Sequence, residues 1–281
     1  PLWSRGLGDV YKRQVNEFKC FNSNRKNSNS GGVCIGIRKA LAAGASEVST
    51  SQCDDILIVK LKAKFFNLEK DLNLVNVYNS PANGSYKKRR HMTEDNFTTT
   101  LEHLSDFIIK IPACEDIVLL GDLNARTGTL EDTLTPSCFT DCSNELEEPF
   151  NVDITKIPAR NNTDHTLNAY GKPFIELVQT SGLIILNGRT IGDIFGSPTC
   201  IQRNGVSVVD YVCTSPGLLN KVRYFKVGPL CQYSDHRPLS LALSINTTKS
   251  LDENTWALRE GIAHAPLPYK WVRDIDPNKD T

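Results

Sequence analysis

The chain has 281 residues, and its 32 Lys and Arg balance its 32 Asp and Glu, so its formal net charge is zero. Hydrophobic residues make up 40% and charged residues 23% of the total, which excludes a disordered or low-complexity protein. This length favours one large domain or two small ones. The neutral charge gives no overall basic surface, so charge alone cannot reveal whether nucleic acid is a partner.

The start of the chain is unusual. It begins with Pro1 and contains a single methionine, Met92. The run Asp-Val-Tyr-Lys-Arg-Gln at residues 9–14 resembles the translation of an adapter used in sequencing libraries. We therefore expect residues 1–14 to be adapter-derived or otherwise non-native, and the natural start to lie upstream. The alternative is a genuine flexible N-terminus.

Cysteine usage and hydropathy indicate the compartment. No run of 18 apolar residues occurs, so no membrane span or membrane partner is expected. Nine cysteines, most of them single within apolar runs, favour free thiols in a reducing compartment, nuclear or cytoplasmic. Cys138 and Cys142 form C-x3-C, but no second pair of ligands stands at zinc spacing, so a zinc site is not predicted there.

The apolar patterns predict strands and two helices in mixed order, which is typical of an α/β or α+β layered domain. The predicted strands cover residues 32–37, 56–61, 72–78, 117–120, 183–186, 208–212, 222–227 and 239–243. Residues 67–71 predict a hairpin turn. One apolar stripe predicts a helix over 97–111, capped by Thr93 and stopped by Pro112, and a second helix runs from Tyr170 to Gly182. The polar residues 129–167 predict a long surface loop.

The most informative polar residues stand at strand ends. The sequence Gly-Asp-Leu-Asn at 121–124 follows the apolar run 117–120, and ligand sites of α/β sheets gather beyond the carboxyl ends of strands. Asp122 and Asn124 are two residues apart, so an extended backbone would direct them to the same side. The alternative is an ordinary turn, because Gly, Asp and Asn all favour turns.

A second group of polar residues surrounds a histidine. Asp210 lies in an apolar strand, where a charge is costly unless it is paired. His236 is an attractive partner because a catalytic imidazole needs a carboxylate to fix its tautomer; hydrogen bonds from backbone amides are the alternative. Asp235 adds a carboxylate beside His236. Tyr78 ends another strand, and its hydroxyl either contacts an anion or is a wet edge of the core.

Together these residue types indicate phosphoester chemistry. Carboxylate and amide oxygens favour Mg²⁺ or Mn²⁺ over zinc, and such an ion can neutralise a phosphate while a base activates water. The chain has no Gly-x-x-x-x-Gly-Lys-Ser/Thr loop and no G-x-S-x-G elbow, which argues against ATP chemistry and against an α/β-hydrolase. The basic run Lys-Lys-Arg-Arg-His at 87–91 either binds phosphates or is a solvated surface.

Five motifs in order resemble the endonuclease/exonuclease/phosphatase, or DNase I-like, superfamily. They are Gly-Gly-Val at 31–33, Tyr-x-x-Pro at 78–81, GDLN at 121–124, SVVDY at 207–211 and SDHRPL at 234–239. The longer runs GDLNARTG at 121–128, LIILNGRTIGD at 183–193 and SVVDYVCTS at 207–215 are similar to the endonuclease domain of non-LTR (LINE-type) retrotransposons. The resemblance implies a four-layer α/β sandwich, in which two mixed β-sheets pack face to face between outer helices. It also implies an endonuclease domain over residues 15–246 and a tail, 247–281, leading to a reverse transcriptase.

The resemblance further implies how the site works. Asp122 orients or activates the attacking water, and Asn124 holds the phosphate. His236 contacts the scissile phosphate, and Asp210 orients His236. The remaining roles fall to three residues: Tyr78 contacts the phosphate, Asp235 helps to bind Mg²⁺ or Mn²⁺, and Asn168 in N-x-x-G lies near the DNA backbone.

One departure concerns the metal. The family carries an N-terminal strand ending in Asn and a later Glu that is a principal metal ligand, whereas residues 15–30 resemble the segment after that Glu, and the context of Glu17 does not match it. The resemblance thus implies an intact parent that nicks DNA with Mg²⁺, and predicts a weak or inactive fragment here. Alternatives are another DNase I-like phosphoesterase (an abasic-site nuclease, a phosphoinositide phosphatase or a sphingomyelinase) and a catalytically dead DNA-binding relic.

Overall fold

The computed structural model describes residues 17–25, 32–50, 53–81, 100–133 and 157–244. All of these lie in the first of two compact units, Pro1–Ile245, and none lies in the second, Asn246–Thr281. The strands are β1 (Phe18–Ser23), β2 (Val33–Arg38), β3 (Ala45–Val48), β4 (Ile56–Leu61), β5 (Leu72–Tyr78), β6 (Asp116–Asp122), β7 (Ile184–Ile185), β8 (Cys200–Gln202), β9 (Gly205–Ser207), β10 (Asp210–Thr214), β11 (Val222–Val227) and β12 (Leu239–Leu243). The α-helices are α1 (Ala63–Phe66), α2 (Thr100–Lys110), α3 (Gly171–Ser181) and α4 (Pro216–Leu219), and a 3-10 helix covers Lys39–Gly44.

The centre of the fold is a six-stranded mixed sheet with the strand order β3-β4-β5-β6-β10-β7. β5 and β6 are parallel, and the other neighbouring strands are antiparallel. The run Ile56–Val59 in β4 is almost completely buried at every position. A continuous apolar run of this kind is typical of a strand that is covered on both faces.

Helices α2 and α3 cover one face of this sheet. Leu101, Leu104 and Ile108 of α2 are buried in the same core as Phe174 of α3 and the sheet residues, which confirms the predicted stripe. Gly182 ends α3 with φ 66°, a left-handed conformation that glycine adopts without steric cost. The predicted cap, Thr93, lies outside the described residues.

Two antiparallel strand pairs, β1–β2 and β11–β12, cover the opposite face. Phe21 of β1 and Phe225 of β11 share a second core with Val59, Val118 and Val212 of the sheet. A half-open pocket of about 350 Å³ lies between β6, β10 and β12, and Asp122 and Asp210 are among the residues that line it. The predicted α/β architecture of packed sheets and helices is therefore confirmed, although only α2 and α3 are longer than four residues among the α-helices of the described segments.

The structure corrects several predicted boundaries. The turn predicted at 67–71 is preceded by helix α1, which forms because the Asp71 carboxylate accepts a hydrogen bond from the Ala63 N–H (2.7 Å). The strand predicted at 208–212 instead begins at Asp210, because Thr199 Oγ1 accepts the N–H groups of Val209 and Asp210 (both 3.0 Å). β1, β3 and the β8–β9 hairpin have no counterpart among the predicted strands. In the described segments, no helix combines the length and the apolarity that crossing a membrane requires.

Candidate active site

Sheet register places three of the predicted residues side by side. Tyr78 at the end of β5 is the partner of Asp122 on parallel β6, and Asp122 is the partner of Asp210 on antiparallel β10. Laterally paired residues on adjacent strands direct their side chains to the same face of a sheet. The phenol and the two carboxylates therefore form one row at one edge of the sheet.

A turn after β6 fixes the first carboxylate. Gly121 has φ 145°, and a Cβ there would lie 1.9 Å from the Val77 carbonyl oxygen, so only glycine allows β5 and β6 to approach this closely. Asp122 Oδ1 accepts the Asn124 N–H (2.9 Å), which closes an Asx turn with Asn124 at φ 47°. Asn124 Nδ2 donates to Asp122 Oδ2 (3.1 Å) and to the Asn79 carbonyl (2.8 Å). The alternative of a turn is therefore confirmed and the extended backbone is wrong, although the turn itself brings the two side chains together; the phosphate contact of Asn124 stays a prediction.

The histidine reaches this row from the segment before β12. His236 Nδ1 lies 2.9 and 3.0 Å from the two carboxylate oxygens of Asp210. The segment is held against β8 by a bridge between Cys200 and His236 and by a hydrogen bond from the Arg237 N–H to the Thr199 carbonyl (2.7 Å). The structure thus brings Asp210 and His236 together across 26 residues of sequence.

The electrostatics of the cluster are unusual. Ligand atoms of Asp122, Asp210 and His236 all lie within 4.8 Å of one another. Burial, followed by the negative charge of Asp210, raises the pKa of the Asp122 carboxyl to about 7. The hydrogen bond to Asp210 raises the pKa of His236 to about 9 against the effect of burial, and the charges of Asp122 and Asp235 act in the same direction. Near neutral pH the site therefore combines a partly protonated carboxyl group with a cationic imidazole.

These residues fit a divalent cation. Two carboxylates this close repel each other, which is one cause of the raised pKa of Asp122, and a bound cation would remove that repulsion. Their oxygens are hard ligands of the kind that Mg²⁺ prefers. Asp235 belongs to a second group of possible ligand atoms, with Cys200 and His236, that also lie within 4.8 Å of one another.

The other two predicted residues have different surroundings. Burial, followed by the charge of Asp122, raises the pKa of Tyr78, so its hydroxyl is a neutral donor at physiological pH. Asn168 Oδ1 accepts the N–H groups of Arg126, Tyr170 and Gly171, and its Nδ2 donates to the Asn124 carbonyl (2.8 Å). Asn168 therefore fixes the loop after Asn124, and its contact with DNA stays a prediction. The basic run 87–91 and the pair Cys138 and Cys142 lie outside the described residues.

Sequence reasoning missed several residues that support the site. Asn79 Nδ2 donates to the Leu123 carbonyl (2.9 Å), and its position directly after Tyr78 at a strand end was the available signal. Thr199 sets the start of β10, and Arg237 Nε donates to the Gly228 carbonyl (2.6 Å). Asp164 accepts from Arg126 and from the Val208 N–H (3.1 Å). Asp164 and Thr199 carry no sequence signal because only the fold brings their partners to them.

Replacing Asp164 with asparagine should lower the free energy of unfolding by about 3 kcal/mol, because it breaks a largely buried ion pair. Arg126 Nε and Nη2 lie 2.7 and 2.6 Å from the Asp164 oxygens. Burial alone would raise the pKa of Asp164, but hydrogen bonds from Arg126, Val208 and Thr166 lower it. The side chain of Asp164 is therefore an ionised carboxylate in the folded protein. Urea unfolding measures the loss. A change no larger than that of exposed Asp106→Asn would contradict this role.

Without divalent metal, the stability of the chain should fall as the pH rises from 6.5 to about 9. The folded pKa of His236, about 9, exceeds its ordinary value of 6.5, so its contribution is complete below pH 6.5 and is lost as the pH rises through 9. Asp210, Asp122 and Asp235 face the ring and act together. Thermal unfolding in EDTA should show a shallower pH dependence for His236→Gln than for the unchanged chain; parallel curves would rule out this linkage.

Comparisons with known proteins agree with this geometry. The profile of the endonuclease-reverse transcriptase family matches residues 72–240, more than half of the chain. The endonuclease domain of TRAS1, a telomere-specific non-LTR retrotransposon, is similar in structure, with a TM-score of 0.53, 14% identity and coverage of 82% of each chain. The AP endonuclease LMAP from Leishmania major gives a TM-score of 0.52 at 14% identity, covering 84% of this chain and 73% of that one.

A comparison with curated protein sequences finds no match. At 14% identity the two structural neighbours show the fold alone, which is DNase I-like. The family profile covers β5, β6, β10 and the His236 segment, and so it includes Tyr78, Asp122, Asp210 and His236. The chain belongs to the endonuclease-reverse transcriptase family, within the DNase I-like nucleases and phosphoesterases.

Proposed function

We propose that this chain is a metal-dependent phosphodiesterase that nicks DNA, as the endonuclease of a non-LTR retrotransposon does. The observation that carries the proposal is the cluster of Asp122, Asp210 and His236, whose ligand atoms lie within 4.8 Å of one another. It combines a candidate base, a cationic group for the phosphate and carboxylates for a metal in one place. The family profile and the TRAS1 neighbour support the choice of DNA as substrate.

The proposed division of roles follows from the protonation states. In the metal-free site, burial, followed by the charge of Asp210, raises the pKa of the Asp122 carboxyl to about 7. Burial, the larger cause, still favours proton uptake when a cation offsets the charge of Asp210, and a general base works best when its pKa is near the working pH. Asp122 Oδ therefore accepts a proton from the attacking water. His236 is protonated at neutral pH because its pKa is about 9, so its free ring nitrogen binds the phosphate and can supply a proton to the leaving oxygen. The carboxylate of Asp210, which is hydrogen-bonded to Nδ1 of His236, holds the ring in this orientation.

Asp122 and Asp210, with Asp235 from the adjacent group, would hold Mg²⁺ or Mn²⁺. When bound, the ion would neutralise the negative charge of the phosphate. In the described ranges, neither group of possible ligands contains a glutamate. Two or three aspartates bind Mg²⁺ less tightly than a site with a further carboxylate, which supports the expectation that the activity of this chain is weak. The proposal further includes a covalent continuation into a reverse transcriptase and action in the nucleus or cytoplasm.

Substrate comparison tests the proposal. The full chain, with Mg²⁺ or Mn²⁺, is incubated in parallel with supercoiled plasmid, an abasic-site duplex, phosphoinositide vesicles and sphingomyelin vesicles. We expect nicked plasmid without need for an abasic site and no release of phosphate or headgroup from the vesicles. Faster hydrolysis of a lipid, or cleavage only at the abasic site, would contradict the proposal. DNA binding on filters without cleavage at any metal concentration would favour a catalytically dead relic.

A further inference from the structure

A second group of ligand atoms lies beside the proposed hydrolytic cluster. The thiol of Cys200, a carboxylate oxygen of Asp235 and a ring nitrogen of His236 lie within 4.8 Å of one another. Cys200 is buried, at 4% exposure, whereas Asp235 is exposed and His236 is half-buried. The trio therefore has a sulfur at its base and an open side through which a hydrated ion can approach.

Backbone pairing holds the trio in register. Cys200 and His236 form a β-bridge, and the Ile201 N–H donates to the Asp235 carbonyl (2.8 Å). Gln202 Nε2 donates to Asp235 Oδ2 (2.8 Å), which orients the carboxylate and leaves its other oxygen available. The ligands come from two segments that are already joined, so little chain ordering would be required when an ion binds.

The ligand set selects a different ion from the one proposed for hydrolysis. Mg²⁺ takes oxygen ligands and disfavours sulfur, whereas Zn²⁺ is bound by thiolate, imidazole and carboxylate in tetrahedral sites. Three protein ligands leave one position for water. Among the described residues, this is the one group of possible metal ligands that includes a cysteine.

We propose that Cys200, Asp235 and His236 form a zinc site that inhibits hydrolysis. On binding, the Cys200 thiol and the His236 imidazolium each release a proton to the buffer, and the thiolate, the carboxylate and the neutral imidazole bind the ion. Because His236 belongs to both clusters, zinc removes its ring nitrogen from the phosphate. The inhibition rests on the proposed function, but the binding does not.

Cobalt binding tests the site without any nuclease assay, because Co²⁺ takes zinc-type ligands and a bound thiolate gives it a near-ultraviolet charge-transfer band. The starting protein, called the parent chain below, is the full chain with Cys138→Ser and Cys142→Ser, which remove the C-x3-C pair. We expect one Co²⁺ with a thiolate band that Zn²⁺ displaces. Cys200→Ser should abolish the band, and Asp235→Asn should weaken Co²⁺ binding by about tenfold or more. Exposed Cys114→Ser is the matched control and should change neither.

A missing band in the parent chain, or a band that survives Cys200→Ser or is lost in Cys114→Ser, would overturn the site. Circular dichroism checks that Cys200→Ser folds; if it does not, exposed Asp235→Asn decides the question. In the nicking assay, each variant is compared with its own zinc-free rate in Mg²⁺. Zinc should inhibit the parent chain at least tenfold more strongly than Cys200→Ser. Equal inhibition alongside a lost band would show that the trio binds metal but does not control hydrolysis.

Discussion

Replacing Asp122 with asparagine should lower Mg²⁺-dependent DNA cleavage by about a thousandfold, the usual order for loss of a general base. The same change should raise the free energy of unfolding of the metal-free chain. Burial and Asp210 raise the pKa of Asp122 to about 7, so at pH 8 the fold must hold a disfavoured charge that asparagine lacks. Asparagine keeps the acceptor for the Asn124 N–H, so the turn should remain.

Two measurements on the same variant check this prediction. Plasmid nicking in Mg²⁺ gives the activity, and urea unfolding in EDTA at pH 8 gives the stability. Exposed Asp106→Asn on α2 is the control and should change neither quantity. A variant that loses activity because it is less stable would contradict the account, since the loss would then come from the fold and not from the missing carboxylate.

Replacing either Asp210 with asparagine or His236 with alanine should lower cleavage by about a hundredfold to ten-thousandfold. Asp210 acts through His236, because both of its oxygens lie within 3.0 Å of Nδ1. An asparagine there would offer an N–H to Nδ1 and favour the wrong tautomer. The double variant should therefore be little slower than His236→Ala alone, since residues that act as a unit are not additive.

Single-turnover nicking rates of the two single variants and the double variant measure this coupling. Exposed His165→Ala serves as the control for removal of an imidazole elsewhere. The rates are measured at saturating Mg²⁺, so that the share of Asp210 in metal binding does not limit them. Rate losses that then multiply in the double variant would show that Asp210 acts independently of His236.

Local patterns were sufficient for much of the fold. The apolar run 56–61 predicted strand β4, and Gly182 predicted the end of α3, because hydrophobic patterns and helix caps depend on only a few neighbouring residues. Strand β1 was not predicted because half of its six residues, FKCFNS, are polar and Phe21 after Cys20 breaks the alternation of apolar and polar residues. The start of β10 depends on the side chain of Thr199, which lies 11 residues before Asp210. The alternation of apolar and polar residues within a strand cannot indicate a contact of this kind.

The candidate site also has a part that could be predicted from the sequence and a part that could not. Asp122, Asp210 and His236 could be predicted, because costly charges at strand ends and their ordered motifs are visible in the sequence. The row of Tyr78, Asp122 and Asp210 depends on register, which spacing along the chain does not determine. Cys200 could not be predicted as a neighbour of His236, because a single cysteine in an apolar run usually indicates only a small core residue.

Nicking of supercoiled plasmid by the full chain and by Asp122→Asn, over a series of Mg²⁺ concentrations, tests the central claim most directly. The account predicts slow nicking by the unchanged chain that increases with Mg²⁺, stops in EDTA and is about a thousandfold slower in the variant. Nicking that persists in EDTA, or equal rates for the two chains at every Mg²⁺ concentration, would contradict the claim that these carboxylates hydrolyse DNA with a metal.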